Sequence, residues 1–129
     1  MKKLLIATLC VTLVGALAQA APLSDTDKQF LTRYEKVRDA LAADDLPTAK
    51  TAANDLGDEG AALSKSNSLK EARIAFEKLS DKAKQLAAGQ SGYYIVNCPM
   101  LKKDWVQTSD KIANPYYGKQ MLACGEIKK

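Results

Sequence analysis

The sequence predicts a mainly α fold: an antiparallel three-helix bundle with a C-terminal segment of short strands and a short helix packed on it. Three observations carry that expectation. Apolar residues recur at helical spacing along three consecutive stretches between Asp25 and Leu86. Capping residues and glycines punctuate those stretches. Beyond Gly92 the pattern changes to aromatic and β-branched residues, which favour extended chain.

Residues 1–20 stand outside the fold and read as a signal peptide. Met1-Lys2-Lys3 is a basic start, Leu4 to Leu17 is an apolar run, and Ala18-Gln19-Ala20 offers a small-x-small cleavage site before Ala21. The apolar run is too short for a comfortable transmembrane span. Cys10 does not read as a lipidation site, because Leu9 before it is large and the apolar run continues past it. The mature chain is expected to be periplasmic or secreted, in a compartment that permits disulfides.

Residues 21–129 then form one small domain. Ser24 or Asp25 caps a first helix, whose stripe of Phe30, Tyr34, Val37 and Leu41 runs to about Ala43. Asp44-Asp45 interrupts it and offers the next cap, with Pro47 in the first turn of a second helix. That helix is alanine-rich (Ala49, Ala52, Ala53, Ala61, Ala62), and Gly57 and Gly60 predict a bend or an early end. Ser64 to Ser68 is a polar linker. The third helix opens on a capping box, Ser68-Leu69-Lys70-Glu71, carries Ala72, Phe76, Leu79, Ala83 and Leu86, and stops at Gly89.

The C-terminal segment, residues 93–126, holds the rest. Tyr93 to Val96 is expected to be a strand, Leu101 to Asp104 a turn, and Trp105-Val106-Gln107 a second short strand. Asn114-Pro115 then starts a short helix, with Asn114 as cap, that Gly125 ends. Pieces this short must pack on the bundle to be stable.

Composition excludes much. The formal charge of +4 drops by the two charges of Lys2 and Lys3 on processing, and the remaining acids and bases are interspersed. Neither nucleic-acid binding nor membrane association after cleavage is expected. Histidine is absent, which removes the commonest general base and the commonest zinc ligand. The acidic pairs Asp44-Asp45 and Asp58-Glu59 are adjacent, and adjacent helical residues do not face each other, so an enzyme is not expected.

What stands out chemically is sulfur. Residues two apart in an extended segment share a side, so Cys98 and Met100 can converge. Residues three apart on a helix share a face, so Met121 and Cys124 can converge. If the two segments meet, four soft ligands surround one point, and thiolates with thioethers but no imidazole select copper(I). The alternative is a disulfide, the usual fate of two cysteines in an exported domain, which would contribute about 3.5 kcal/mol through loop closure. Free thiols are the third possibility. Trp105 and the tyrosines are expected to pack at the junction of bundle and C-terminal segment, or to lay a ring over a bound cation.

The combination Tyr94-x-x-x-Cys98-Pro99-Met100, Trp105-Val106-Gln107, Ile112-x-Asn114-Pro115-Tyr116-Tyr117-Gly118 and Met121-Leu122-x-Cys124-Gly125-Glu126 resembles a family of exported bacterial domains of unassigned function. Phe76-Glu77-x-Leu79-Ser80-Asp81 resembles that family's third-helix pattern. Its members stand alone or are appended to membrane-fusion subunits of copper and silver efflux pumps. The resemblance implies a periplasmic role in copper handling, an efflux component as partner, and Cys98, Met100, Met121 and Cys124 as ligands. Many members of that family carry a histidine shortly before the Phe-x-x-Leu-Ser motif, where this chain has Arg73 and Ala75. A ligand set using that histidine is lost here.

Overall fold

A computed structural model of the chain describes residues 21–128; the signal peptide expected over residues 1–20, with Cys10, lies outside the described residues. Four helices pack together and a three-stranded antiparallel sheet packs against them. The helices are α1 (Asp25–Ala42), α2 (Leu46–Asn54), α3 (Ala61–Ser64) and α4 (Leu69–Ala87). The strands are β1 (Tyr94–Cys98), β2 (Lys103–Gln107) and β3 (Glu126–Ile127), in the order β2-β1-β3. Among the described residues, no helix is long and apolar enough to cross a membrane.

The caps explain the starts. Ser24 accepts the Asp27 N–H at the head of α1, Asp45 accepts the Thr48 N–H at the head of α2, and Ser68 accepts the Glu71 N–H at the head of α4. At α4 the Glu71 carboxylate reaches back to the Asn67 N–H, one residue before the cap, where a capping box would take the cap residue's own amide.

Where three helices were expected there are four, and glycine is the reason. Gly57 sits at φ +61°, a left-handed conformation that ends α2, and a 3-10 turn over Gly57–Gly60 leads into the single turn of α3. Gly60 also lies so close beneath Ala53 that a Cβ there would fall 1.9 Å from the Ala53 carbonyl oxygen. The second helix therefore breaks into two short pieces folded against each other.

The core follows the expected stripes. Phe30, Tyr34, Val37 and Leu41 of α1 meet Ala72, Phe76, Leu79 and Ala83 of α4, all buried. Aromatic rings continue this core into the sheet: Tyr34 stacks on Phe76 with centroids 5.0 Å apart, Phe76 meets Tyr116 at 5.6 Å, and Tyr116 meets Trp105 at 6.2 Å. The two tyrosine hydroxyls are satisfied at one place. Tyr34 Oη lies 2.8 Å from Ser80 Oγ and accepts the Val106 N–H at 3.1 Å, while Tyr116 Oη lies 3.1 Å from the same Ser80 Oγ. Burial pushes both tyrosine pKa values up, so the pair stays neutral and hydrogen-bonded.

A second tie joins the helices to the C-terminal segment. Asp44, in the turn after α1 at φ +57°, accepts Arg73 Nη2 at 2.7 Å and the Lys119 N–H at 3.1 Å. Arg73 also donates to the carbonyls of Leu41 (3.0 Å) and Pro115 (2.8 Å). Gly118, at φ +60°, lets the chain pass so closely that a Cβ would lie 1.9 Å from Asp44 Oδ1.

Three elements of the C-terminal segment differ from expectation. The turn expected over Leu101 to Asp104 lies over residues 99–102, because Lys103 and Asp104 pair with Cys98 and Asn97 and so belong to β2. The helix expected from Pro115 to Gly125 is a hydrogen-bonded turn followed by one 3-10 turn, Gly118–Met121. The left-handed backbone at Gly118 divides the two pieces. The strand β3 was not anticipated; two residues are too few to show an alternating pattern, and it forms by pairing Val96 with Ile127 and Asn97 with Glu126.

Candidate functional site

The two cysteines of the described chain meet. Cys98 ends β1, where the alternation that buries Val96 also buries Cys98 completely. Cys124 comes from the loop just before β3 and is half-buried. Their Sγ atoms lie 3.3 Å apart, both as free thiols. This is contact distance for two sulfurs and is longer than the ~2.05 Å of a disulfide bond.

Three residues place Cys124. Asn114 is fully buried, and its Nδ2 donates to the Cys124 carbonyl at 2.8 Å. Its backbone N–H donates to the Leu122 carbonyl at 2.8 Å, and its Oδ1 accepts from the N–H groups of Tyr116 and Tyr117. Gly125 presses on the wall of the core: a Cβ there would fall 2.8 Å from Trp105 and 2.9 Å from Val96. Trp105 is itself immobilised, fully buried and donating from Nε1 to Gln107 Oε1 at 2.9 Å. The side-chain amide of Gln107 in turn donates to the carbonyls of Ser109 and Lys111, shaping the loop that returns to Asn114.

The methionines sit differently. β1 stops at Cys98, and Pro99-Met100 belongs to the following turn, so the two-residue alternation does not extend to Met100, which is 66 % exposed. Met121 closes the 3-10 turn, half-buried, and its carbonyl accepts the Cys124 N–H at 3.1 Å. Met121 and Cys124 thus share one turn, though not a helix face. Among the described residues, no group of three or more cysteines and carboxylates gathers where it could hold a metal ion.

The electrostatics favour the protonated thiol at Cys124. Cys124 has its pKa raised, first by the hydrogen bond with the Cys98 sulfur and then by desolvation and the nearby charges of Cys98 and Glu126. A thiol so held is a poor nucleophile at neutral pH. Two sulfurs holding one soft monovalent ion between them at about 2.3 Å each stand close to roughly 4.6 Å apart when the ion is two-coordinate and near linear, so this pair, at 3.3 Å, would have to open by roughly 1 Å to take one.

Of the residues singled out in the sequence, Cys98 and Cys124 are brought together, Met121 is one turn from Cys124, and Met100 lies at the surface. Arg73 is engaged with Asp44, Leu41 and Pro115. Asn114 as the anchor of Cys124 was hidden, because Asn-Pro reads equally well as a simple helix cap. Comparison with known protein families, with curated proteins and with solved structures returned no match.

Proposed function

We propose that this chain is an exported protein that takes up copper(I) between Cys98 and Cys124, for carriage or sequestration of the metal in copper tolerance. The observation that supports it is the 3.3 Å approach of two thiols from opposite ends of the C-terminal segment. Copper(I) is satisfied by as few as two thiolates, and Met121 stands one turn away as a thioether donor. Met100 would join only by turning in from the surface. The role is binding, with no catalysis. Periplasmic or secreted location and a heavy-metal efflux component as partner belong to the same proposal.

The experiment is a competition between reduced mature protein and a copper(I) chelator. One equivalent of copper is expected to move to the protein, and Cys98→Ser with Cys124→Ser is expected to abolish uptake. Uptake that survives the double substitution, or none by the native protein, overturns the reading.

A second reading is favoured by the closeness of the sulfurs and the exposure of Met100. The pair would close as a disulfide staple of a module that docks on a periplasmic partner without metal. Counting thiols on protein isolated from the periplasm separates the two. A bond that persists in mild reductant supports the staple.

A further inference from the structure

The outer face of α4 carries an apolar groove that the core does not use. Lys70, Ile74 and Glu77 lie on one stripe of the helix and face Leu101, Lys103 and Tyr116 across a cavity of about 440 Å³. Ile74 is 63 % exposed, the one large apolar side chain of α4 left open to solvent. Met100, beside Leu101 in the same turn, is 66 % exposed. Amphipathic helices normally place charge at such positions.

The charge around this floor is unbalanced. Arg73 is neutralised by Asp44, and Lys103 pairs with Glu77. Lys70, at one end of the groove, has no ion-pair partner among the described residues; Lys102, which does not line the cavity but stands in the chain between Leu101 and Lys103, has none either. The stripe from Lys70 to Glu77 rises about 10 Å along the helix, the length of roughly three residues of extended chain.

We propose that this groove docks an extended segment of a partner protein that carries one large apolar side chain flanked by carboxylates. The apolar side chain covers Ile74, Leu101 and Tyr116. The carboxylates lie at the rim, where lysine stems lean over the floor and their ammonium groups stay in water. This rests on the docking reading and gives it a surface; it does not require copper at Cys98 and Cys124.

The test uses metal-free, reduced, nitrogen-15-labelled mature protein titrated with acetyl-Glu-Leu-Glu-amide, with acetyl-Lys-Leu-Lys-amide as control. Saturable shifts are expected at the Lys70, Ile74, Leu101 and Lys103 amides for the acidic peptide alone. Ile74→Glu is expected to abolish them, and Lys70→Glu to weaken binding by about fivefold. Both side chains are exposed, so both variants should keep the native circular dichroism spectrum. No shifts, shifts elsewhere, or equal shifts with the basic peptide overturn the proposal. So does an equal response to sodium octanoate, which would make the ligand a free amphiphilic anion. Self-association that Ile74→Glu abolishes would make the occupant a second copy and likewise overturn it.

Discussion

Asn114 holds Cys124 by its backbone: the buried side-chain amide donates to the Cys124 carbonyl at 2.8 Å while its oxygen caps the turn at Tyr116 and Tyr117. One side chain thereby fixes both the start of the C-terminal loop and the cysteine at its end. Position matters here because the opposite sulfur, on Cys98, is fixed by the sheet.

Asn114→Ala should therefore loosen the thiol pair as well as the fold. It leaves a carbonyl and two amides without their partner, at a cost of about 2–4 kcal/mol if each lost bond counts roughly 1 kcal/mol or a little more. Urea unfolding measures the stability loss. Reaction of Cys124 with a thiol reagent, under conditions where the variant is still folded, should be several-fold faster than in the native protein. An unchanged rate would show that Asn114 does not position the cysteine.

Gly125→Ala tests the wall beside the pair. The new methyl group would fall 2.8 Å from Trp105 and 2.9 Å from Val96, two fully buried side chains that cannot swing away. Overpacking of this kind costs about 1–3 kcal/mol. A lower melting temperature together with a shifted Trp105 emission is expected, because the indole is the first group displaced. A variant that melts like the native protein would mean that the loop before β3 has room to move.

The helical half was legible because its signals are local. Ser24, Asp45 and Ser68 are all caps, and Phe30, Tyr34, Val37 and Leu41 are all buried, as periodicity alone implies. The C-terminal half was legible only in outline, since its order is set by long-range contacts. Asn114 and Gly125 owe their roles to Cys124 and Trp105, and nothing in spacing links them. β3 exists only because β1 offers it a free edge. The meeting of Cys98 and Cys124 could be posed from the sequence as a question. Met100 shows the limit of that approach: alternation holds only while the strand continues, and the strand ends at Cys98.

Acid should act through the tie between the helices and the C-terminal segment. Arg73 hydrogen-bonds Asp44 and, with the Lys119 N–H, holds its carboxyl below the usual carboxylate range. A folded-state pKa below the unfolded one means stability that is fully present above the unfolded value and is lost as pH falls through the folded value. The loss should fall below about pH 4. Asp104 contributes in the same window: burial opposes ionisation there, but hydrogen bonds from Lys128, Asn97 and Lys84 outweigh it. Asp44→Asn should lower stability at neutral pH and flatten the acid limb of a melting-temperature profile. A variant with the same acid limb as the native protein would remove Asp44 from this account.

Metal uptake, if it occurs at the proposed pair, should itself depend on pH in the opposite half of the scale. Binding requires thiolates, and the Cys124 thiol is kept protonated by its hydrogen bond with Cys98. Uptake of one copper(I) by two thiols, forming two copper–sulfur bonds, releases both protons to solvent. The apparent affinity should therefore rise by up to about a hundredfold per pH unit while both thiols remain protonated. Competition with a chelator, corrected for the chelator's own protonation, measures that slope, and calorimetry in buffers of different ionisation enthalpy counts the protons. Oxidising the pair to a disulfide beforehand should abolish uptake. A slope near zero, or uptake by the oxidised protein, would place the metal elsewhere than between Cys98 and Cys124.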